Sequence, residues 1–441
     1  MRTERDILGA VELPDGALYG VNTARALQNF DLKQRRVNPR LLYAMVQVKR
    51  AAAAANLEAG LGEDKRMRAV ISACDRLLGA EDWSAFPTQA LQGGAGTSTN
   101  MNVNEVLANL ALQEMGHAPG EYQYLHPLDD VNRSQSTNDV YPTALRVAAI
   151  GLLRELSEQC AALQTALQEK ENLWQDVEKL GRTELMDAVP VTLGGEFGAY
   201  AQATGRDRWR LYKVEERLRQ VNLGGMAVGT ASRETRNYRF KVVEELRRLT
   251  GYGLAAAEYP MDLTQNNDVF VEVSGLLKAM AVNLMKLGND LRLMGSGPCG
   301  GLGELRLPPR QQGSSIMPGK VNPVIPEMVM QCAMRVIAND SAVTLAAAHG
   351  ELELNAFLPL IADSLLESLE LLRDAARILR EKCIAELEPD CAGCARHLSH
   401  SAAFAASYVP ALGYDLVAET VHTNTPEAAR KILEAKRRET P

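Results

Sequence analysis

The densest chemistry in the chain lies in eleven consecutive residues, Gly313 to Pro323. This stretch, GSSIMPGKVNP, combines two hydroxyls, one cation and one amide with two glycines and two prolines. Lys320 and Asn322 can hold a carboxylate by charge and by hydrogen bonding. A serine among glycines can act as a nucleophile or a base, because backbone N–H groups stabilise an oxyanion. The stretch therefore indicates a loop that handles a carboxylate, or a surface loop whose polar residues are simply solvated.

Three further segments are rich in small hydroxyl and amide residues. Taken singly, each is explained as a helix cap or a turn, which these residue types favour. Together with the Lys320 stretch they favour a site for a small dicarboxylate, because hydroxyls, amides and helix N-termini hold carboxylates with little added charge. The segments are Gly96-Thr97-Ser98-Thr99-Asn100, Ser134-Gln135-Ser136-Thr137-Asn138-Asp139 and Gly181-Arg182-Thr183-Glu184.

Long helices must position these segments. Apolar residues recur at intervals of three, four or seven over several long stretches, a pattern that is typical of helical bundles and coiled coils. A Gly- and Pro-rich run from Gly295 to Pro309 precedes the Lys320 stretch and predicts a mobile loop. The five helices predicted for one elongated bundle cover about residues 145–174, 195–221, 273–294, 324–347 and 365–383.

The remaining chain predicts shorter elements around this bundle. Residues 1–37 carry turn signals and few helical repeats, so they predict an extended or short-stranded arm. Helices are predicted at about 39–59, at about 64–79 and from about Val103, after a loop over 87–102. The predicted fold is mainly α with three segments: a mixed, mainly helical N-terminal segment 1–136, the long-helix bundle 137–390 and a small C-terminal segment 391–441.

Composition excludes several classes of function. The 441 residues are 46% hydrophobic and 23% charged, as in ordinary globular proteins. The net charge of −7, with mixed signs, argues against a nucleic-acid partner. The sequence has no uncharged apolar run of about 18 residues, and its charged start does not resemble a signal peptide. We therefore expect a cytoplasmic protein with no membrane partner.

The cysteines do not predict a disulfide framework, because seven of them are scattered along a long chain. One cluster has metal-ligand types: Cys391, Cys394, His397 and His400. Zinc sites usually separate their two ligand pairs by a longer stretch, so that the chain can fold around the ion. We interpret the four as residues of one helix and predict no metal.

The Gly313–Pro323 stretch resembles the signature of the aspartase/fumarase superfamily, whose members cleave C–N or C–O bonds and release fumarate. The resemblance implies the fold of that family, no cofactor, and a homotetramer whose active sites are each built from three subunits. Four more stretches match the family in order: QGGAGTSTNMNVNEV, HPLDDVNRSQSTNDVYPT, GRTELMDAVPVTLGGEF and NLGGMAVGT.

Site residues follow from the resemblance, motif by motif. It implies that Ser314 is the catalytic base, with Ser315 beside it, and that Lys320 and Asn322 grip the carboxylate next to the proton that is removed. A serine is a poor base unless N–H groups and positive charge stabilise its alkoxide in a closed, dry site. The residues implied to line the rest of the substrate pocket are Thr97, Ser136, Thr137, Asn138 and Thr183.

The family pattern breaks at Glu184, where relatives usually carry His or Gln. Glu184 is a surface residue, or pairs with a nearby arginine such as Arg182, or faces the leaving group of the substrate. In relatives the His at this position pairs with a glutamate that corresponds to Glu327. Two adjacent carboxylates share a proton or bind a cation, and a substrate ammonium is such a cation.

The resemblance favours elimination of ammonia from L-aspartate to give fumarate. Tyr19-Gly20-Val21 and VNPVIPEMV are closer to aspartases than to fumarases. The alternatives are a fumarate hydratase, a C–N lyase for another amino-substituted succinate, and a catalytically inactive relative with a structural or binding role. Retention of Ser314, Lys320 and Asn322 argues against an inactive relative.

Overall fold

A computed structural model describes residues 1–33, 35–230 and 236–439 of the chain. The predicted mainly α class is confirmed, because helices account for most of the regular structure. The α-helices of the described residues are α1 (Val21–Asn29), α2 (Pro39–Glu58), α3 (Asp64–Leu78), α4 (Thr97–Glu114), α5 (Thr137–Leu173), α6 (Leu193–Leu218), α7 (Arg236–Thr250), α8 (Pro260–Gln265), α9 (Asp268–Met294), α10 (Val324–Ala348), α11 (Leu358–Leu379), α12 (Cys391–His400), α13 (Val409–Leu412), α14 (Tyr414–Thr423) and α15 (Pro426–Glu439).

The strands are short and pair two by two. Among the residues that the structure describes, three of the pairs are antiparallel and one, between β5 and β6, is parallel. The pairs are β1 (Arg2–Asp6) with β2 (Gly9–Leu13), β3 (Glu178–Thr183) with β4 (Met186–Thr192), β5 (Gln220–Val221) with β6 (Ala255–Ala256), and β7 (Leu305–Arg306) with β8 (Glu388–Pro389).

The chain divides into two compact units, each built from three separate stretches. Unit 1 consists of Met1–Leu156, Arg210–Lys278 and Arg335–Leu371. Unit 2 consists of Ser157–Trp209, Ala279–Met334 and Leu372–Pro441. The boundaries fall inside α5, α6, α9, α10 and α11, so each of these helices contributes residues to both units. The predicted division at residues 136 and 390 stays a prediction.

All five helices predicted for the bundle are present, as α5, α6, α9, α10 and α11. α5 begins at Thr137 rather than near residue 145, because its first turn is capped reciprocally. The Ser136 hydroxyl accepts a hydrogen bond from the Asn138 N–H (3.2 Å), and the Asp139 carboxylate accepts one from the Ser136 N–H (2.9 Å). α11 ends at Leu379 and continues as a π-helical turn, Arg380–Ile384.

The first 37 residues are more regular than predicted. They form the β1–β2 hairpin and the helix α1, which the turn signals of the sequence conceal. The carboxylate of Glu105, on α4, accepts hydrogen bonds from the N–H groups of Gly20 and Asn22, both at 2.8 Å. An anion at this position favours the helix, because it meets the positive end of the helix dipole. Glu105 lies 85 residues from Gly20, so no local pattern reveals it.

The predicted loop over 87–102 is wrong at its C-terminal end, because α4 begins at Thr97 rather than near Val103. A run of small polar residues predicts a loop if water forms the hydrogen bonds of its polar groups. Here the protein itself forms such bonds in part of the run. Thr99 is fully buried, and its N–H and hydroxyl both donate to the Gln92 side chain, at 3.0 and 3.1 Å. These bonds replace the water that the polar groups would otherwise need.

Candidate active site

The Gly313–Pro323 stretch is a loop of unit 2 that ends directly before α10. Two hydrogen bonds close its neck: the Gly313 N–H donates to the Lys320 carbonyl (3.0 Å), and the Asn322 side-chain amide donates to the Gly313 carbonyl (2.9 Å). A Cβ at Gly313 would lie 2.3 Å from the Lys320 carbonyl oxygen, so only glycine fits there. The sequence motif did not reveal this closed neck.

Ser314 lies just inside the neck, and its hydroxyl oxygen accepts two backbone hydrogen bonds. The donors are the N–H groups of Ile316 (3.2 Å) and Met317 (3.0 Å). Donors aimed at a hydroxyl oxygen favour its negatively charged form, because they stabilise the charge that deprotonation places there. The loop thus supplies the kind of support that a serine base requires.

Lys320, at the neck of the loop, presents a cation to solvent. Lys320 is exposed and makes no ion pair or hydrogen bond through its side chain within the described residues. Ser315 and Ile316 are exposed as well, the latter to 82%. An exposed ammonium on the same loop as this serine is a suitable partner for an anionic ligand.

Unit 1 brings two of the predicted segments together. Thr97 is the first residue of α4 and Thr137 the first residue of α5. The side-chain amide of Asn100, one turn into α4, donates to the Thr137 hydroxyl at 3.0 Å. The two helix N-termini are therefore neighbours, and the positive ends of their dipoles favour an anion. Of the predicted residues here, Thr97 is exposed, whereas Ser136 and Asn138 are half-buried.

The third predicted segment is not a loop, because Gly181–Thr183 lies in β3. Glu184 and Leu185 form the two-residue turn to β4, and both have positive φ angles, of 54° and 65°. Two-residue hairpins with positive φ suit Asn and Gly, and other residues are strained there. Thr183 and Glu184 are both exposed at this tip.

A buried ion network holds the hairpin in unit 2. Arg182 donates to the Glu304 carboxylate at 2.8 Å, so its ion pair is with Glu304 rather than with Glu184. Lys179 lies 3.0 Å from the same carboxylate and 2.8 Å from Glu196. Glu304 is fully buried and therefore needs both cations to offset its desolvation. Sequence reasoning missed this network, since its members lie in three separate stretches.

Glu327 lies in the first turn of α10, where the helix dipole favours an anion. Its carboxylate is 3.8 Å from the Arg292 guanidinium, and its side chain is 38% exposed. An exposed pair at this distance contributes little to stability. Glu327 therefore keeps a carboxylate that is accessible from solvent.

The predicted site residues divide between the two units. Unit 1 carries Thr97, Ser136, Thr137 and Asn138. Their assembly into one pocket stays a prediction. The predicted site residues of unit 2 are Thr183, Glu184, Ser314, Ser315, Lys320, Asn322 and Glu327.

The cysteine–histidine cluster lies on one helix, α12, as predicted. Cys394 is buried with its Sγ 3.8 Å from the Glu304 carbonyl oxygen, and His397 Nε2 is 2.7 Å from the Leu302 carbonyl oxygen. His400 Nδ1 is 2.8 Å from the carbonyl oxygen of Arg396. Within residues 1–33, 35–230 and 236–439, no group of three or more His, Cys, Asp or Glu could hold a metal ion.

Comparison with known proteins gives consistent matches over nearly the whole chain. A family model described as lyase matches residues 9–338. The chain is 43% identical over 436 residues to an aspartate ammonia-lyase of Corynebacterium glutamicum, covering 98% of this chain and 83% of that protein. It is 46% identical over 445 residues to an aspartate ammonia-lyase of Pseudomonas aeruginosa, covering 99% of this chain and 93% of that protein.

Solved structures match equally broadly. A protein of Brucella melitensis described as fumarate lyase:delta crystallin, with cobalt bound, has a TM-score of 0.93 at 43% identity and covers 98% of this chain and 95% of its own. A class II fumarase of Schistosoma mansoni has a TM-score of 0.93 at 31% identity, with coverages of 98% and 95%.

No helix in the described part of the chain is long and apolar enough to cross a membrane.

Proposed function

The chain belongs to the lyase family whose model spans residues 9–338, and from this membership we propose that it is an aspartate ammonia-lyase. Such an enzyme eliminates ammonia from L-aspartate, reversibly, and gives fumarate. One observation carries the proposal: aspartate ammonia-lyases match at 43% and 46% identity over 98% and 99% of this chain. It is therefore a carbon–nitrogen lyase.

The supported serine gives this reaction a base. Ser314, as the alkoxide, removes a proton from the carbon next to the β-carboxylate of aspartate. The electron pair moves into that carboxylate, which becomes a doubly charged aci-carboxylate. Lys320 and the N–H groups of the helix ends stabilise this added charge, and loss of one such donor typically costs about 10²–10³-fold in rate.

The second half of the reaction expels the amine. The electron pair of the aci-carboxylate forms the C=C bond of fumarate, and the C–N bond breaks. The substrate ammonium leaves as neutral ammonia, because the electron pair of the C–N bond stays on nitrogen, while Ser314 holds the proton that it removed. We assign binding of the other substrate groups to Thr97, Ser136, Thr137, Asn138 and Thr183, with Ser315 and Asn322 beside the reacting carboxylate.

The leaving-group side is where this chain differs from the family pattern. We assign Glu184 to the substrate ammonium, with Glu327 in a supporting role. Two facts support this assignment: the carboxylate of Glu184 is exposed, and the neighbouring Arg182 is already paired with Glu304. A carboxylate near an ammonium favours an amino acid over malate, because malate offers no positive charge at that carbon.

Self-association is part of the proposal. We expect a cytoplasmic homotetramer with active sites shared between subunits, as the family resemblance implies. Exposed apolar side chains on two long helices support association, because monomeric proteins rarely expose large apolar patches to solvent. Val282 and Leu293 on α9 are exposed to 52% and 44%, and Met334 and Leu345 on α10 to 49% and 61%.

Fumarate hydratase is the second candidate, supported by the match to a class II fumarase at 31% identity. The test supplies the purified protein with L-aspartate and, separately, with L-malate, and follows fumarate by ultraviolet absorbance. We expect fumarate from aspartate and a loss of about 10²–10⁴-fold in kcat for Ser314→Ala. Ser399→Ala, an exposed serine on α12, is the matched control.

Two results would overturn the proposal. Fumarate from malate alone would make the protein a hydratase. Inactivity with both substrates would direct the search to N-substituted aspartates and, if those also fail, to an inactive relative.

A further inference from the structure

One buried carboxylate joins two stretches of unit 1 that are far apart in sequence. Asp139 is fully buried at the start of α5. Its Oδ1 accepts the Ser136 N–H at 2.9 Å, and its Oδ2 accepts the N–H groups of Gly224 (3.1 Å) and Met226 (2.9 Å). A capping residue needs only the first of these bonds. The other two connect the Ser136–Asn138 segment to a turn more than eighty residues later.

Further hydrogen bonds lock the same two stretches together. The Asn138 side-chain amide donates to the Ala227 carbonyl (2.7 Å), and the Asn222 amide donates to the Asn138 carbonyl (3.0 Å). Met226 adopts a φ of 60°, which is uncommon for a non-glycine residue. Its N–H points to Asp139 in this conformation, so the carboxylate helps to maintain a turn that the local sequence does not favour.

We propose that Asp139 is a positioning residue for substrate binding, whose carboxylate holds the Ser136–Asn138 segment against the Gly224–Ala227 turn. The side chains of Thr137 and Asn138 are thereby fixed before the substrate arrives. This inference rests on the proposed function, in which those side chains bind aspartate. Asp139 itself does not contact the substrate. It keeps the segment ordered in the free enzyme, so that substrate binding does not incur the entropy cost of ordering it.

A buried cation offsets the charge of this carboxylate. Lys49 is fully buried on α2, and its ammonium donates to the Asn132 side chain at 2.8 Å. Asn132 also accepts from Asn100, the residue that contacts Thr137. The two buried charges therefore lie at the two ends of the Asn132–Asp139 stretch, and both act on the segment between them.

The titratable groups around Asp139 come from several helices. Burial raises the pKa of Asp139 to about 7 and lowers the pKa of Lys49 to about 7. Tyr238 of α7 is buried and interacts electrostatically with Asp139, and Cys74 of α3 interacts in the same way with Lys49. Because Asp139 accepts three N–H groups, its charged form is the one that fits the hydrogen bonds.

The test compares two buried aspartates. Asp139→Asn keeps the shape but places an amide donor against backbone N–H groups. Asp130→Asn is the matched control, because Asp130 is also buried (2% exposed) and also accepts a backbone N–H, that of His126, at 2.8 Å. We expect Asp139→Asn to lower kcat/KM for L-aspartate roughly 30-fold, mostly through KM, and the control to change it less than about threefold.

The pH profile separates positioning from a merely structural role. We expect kcat/KM of the unmodified enzyme to fall below about pH 7 as Asp139 takes up a proton. Lys49→Met removes the compensating cation and should move this fall to higher pH, by about one unit. This variant also keeps the test decisive if Asp139→Asn does not fold.

Two outcomes bear on different claims. An unchanged KM in Asp139→Asn, together with an unmoved profile in Lys49→Met, would overturn the positioning role. Thr183→Ala tests the proposed substrate site separately, because Thr183 is exposed in β3 and takes no part in the hydrogen bonds that join these two stretches. If Thr183→Ala raises KM while the two charge variants do nothing, the site stands and the role of Asp139 fails. If Thr183→Ala has no effect on KM, the assignment of the substrate site itself fails.

Discussion

The backbone nitrogen of Gly313 lies 3.0 Å from the carbonyl oxygen of Lys320, and this hydrogen bond closes the neck of the signature loop. The amide of Asn322 adds a second bond to Gly313. The serine and the lysine of the motif thus sit on one closed loop, and the glycine before the serine has a defined structural role.

We predict that Gly313→Ala lowers kcat for L-aspartate by about 10²-fold, because opening the neck misplaces the base by the ångström or so to which catalysis is sensitive. The added Cβ would lie 2.3 Å from the Lys320 carbonyl oxygen. Gly300→Ala is the control, since a Cβ there meets open space. Steady-state kinetics and circular dichroism check the prediction. Equal kinetics for the two variants would contradict it.

We predict that Leu185→Gly stabilises the protein by about 1 kcal/mol, because glycine relieves the positive φ of the hairpin turn. Leu185 is 73% exposed, so little apolar contact is lost. Met186→Gly is the matched control, at 71% exposed but inside β4, and it should destabilise. Thermal unfolding of both variants measures the difference. A lower melting temperature for Leu185→Gly would show that the turn is not strained.

We predict that Glu184→Gln raises KM for L-aspartate about tenfold or more, because it removes the negative charge that we assign to the substrate ammonium. Asp187→Asn is the control, since Asp187 is another exposed carboxylate of the same hairpin. Initial rates over a range of aspartate concentrations give both KM values. Unchanged kinetics in Glu184→Gln would leave Glu184 as a surface residue.

The protonation of Asp139 should make the stability of the protein depend on pH in the acidic range. Burial raises its pKa from 3.8 to about 7, so the folded state holds a proton that the unfolded chain releases. The stabilisation that this bound proton gives to the folded state is complete below about pH 4 and is lost as the pH rises towards 7. We therefore predict that, between these values, the melting temperature of the unmodified protein falls relative to that of Asp139→Asn. A constant difference over this range would contradict the raised pKa.

The sequence predicts the parts of the fold that depend on local pattern. The long apolar repeats predict α5, α6, α9, α10 and α11, because an amphipathic helix shows its period over many turns. The same reasoning fails at Thr97, where a polar run is helical because distant side chains satisfy it. It also fails at α1, whose N-terminus is stabilised by Glu105.

The residues of the candidate site are predicted from motifs, whereas the contacts that support those residues could not be predicted from the sequence. Ser314, Lys320 and Asn138 stand in recognisable stretches. For the buried charges of Lys49 and Glu304, the sequence offers one weak local indication, namely a lysine within the apolar face of α2. The partners of these charges lie in distant stretches, so the local sequence does not identify them. Energies of buried charges are set by these partners, which a linear sequence does not display.

The division of the chain has a consequence for how the protein can form. Unit 1 includes Arg335–Leu371, so it cannot be completed until the ribosome has added Leu371. Unit 2 begins at Ser157 and needs residues beyond Leu372. Neither unit is a continuous stretch that could fold first during synthesis, as N-terminal domains commonly do. The nascent helices must therefore stay unaggregated until Arg335–Leu371 has emerged, and no single cut could release either unit as a separate module.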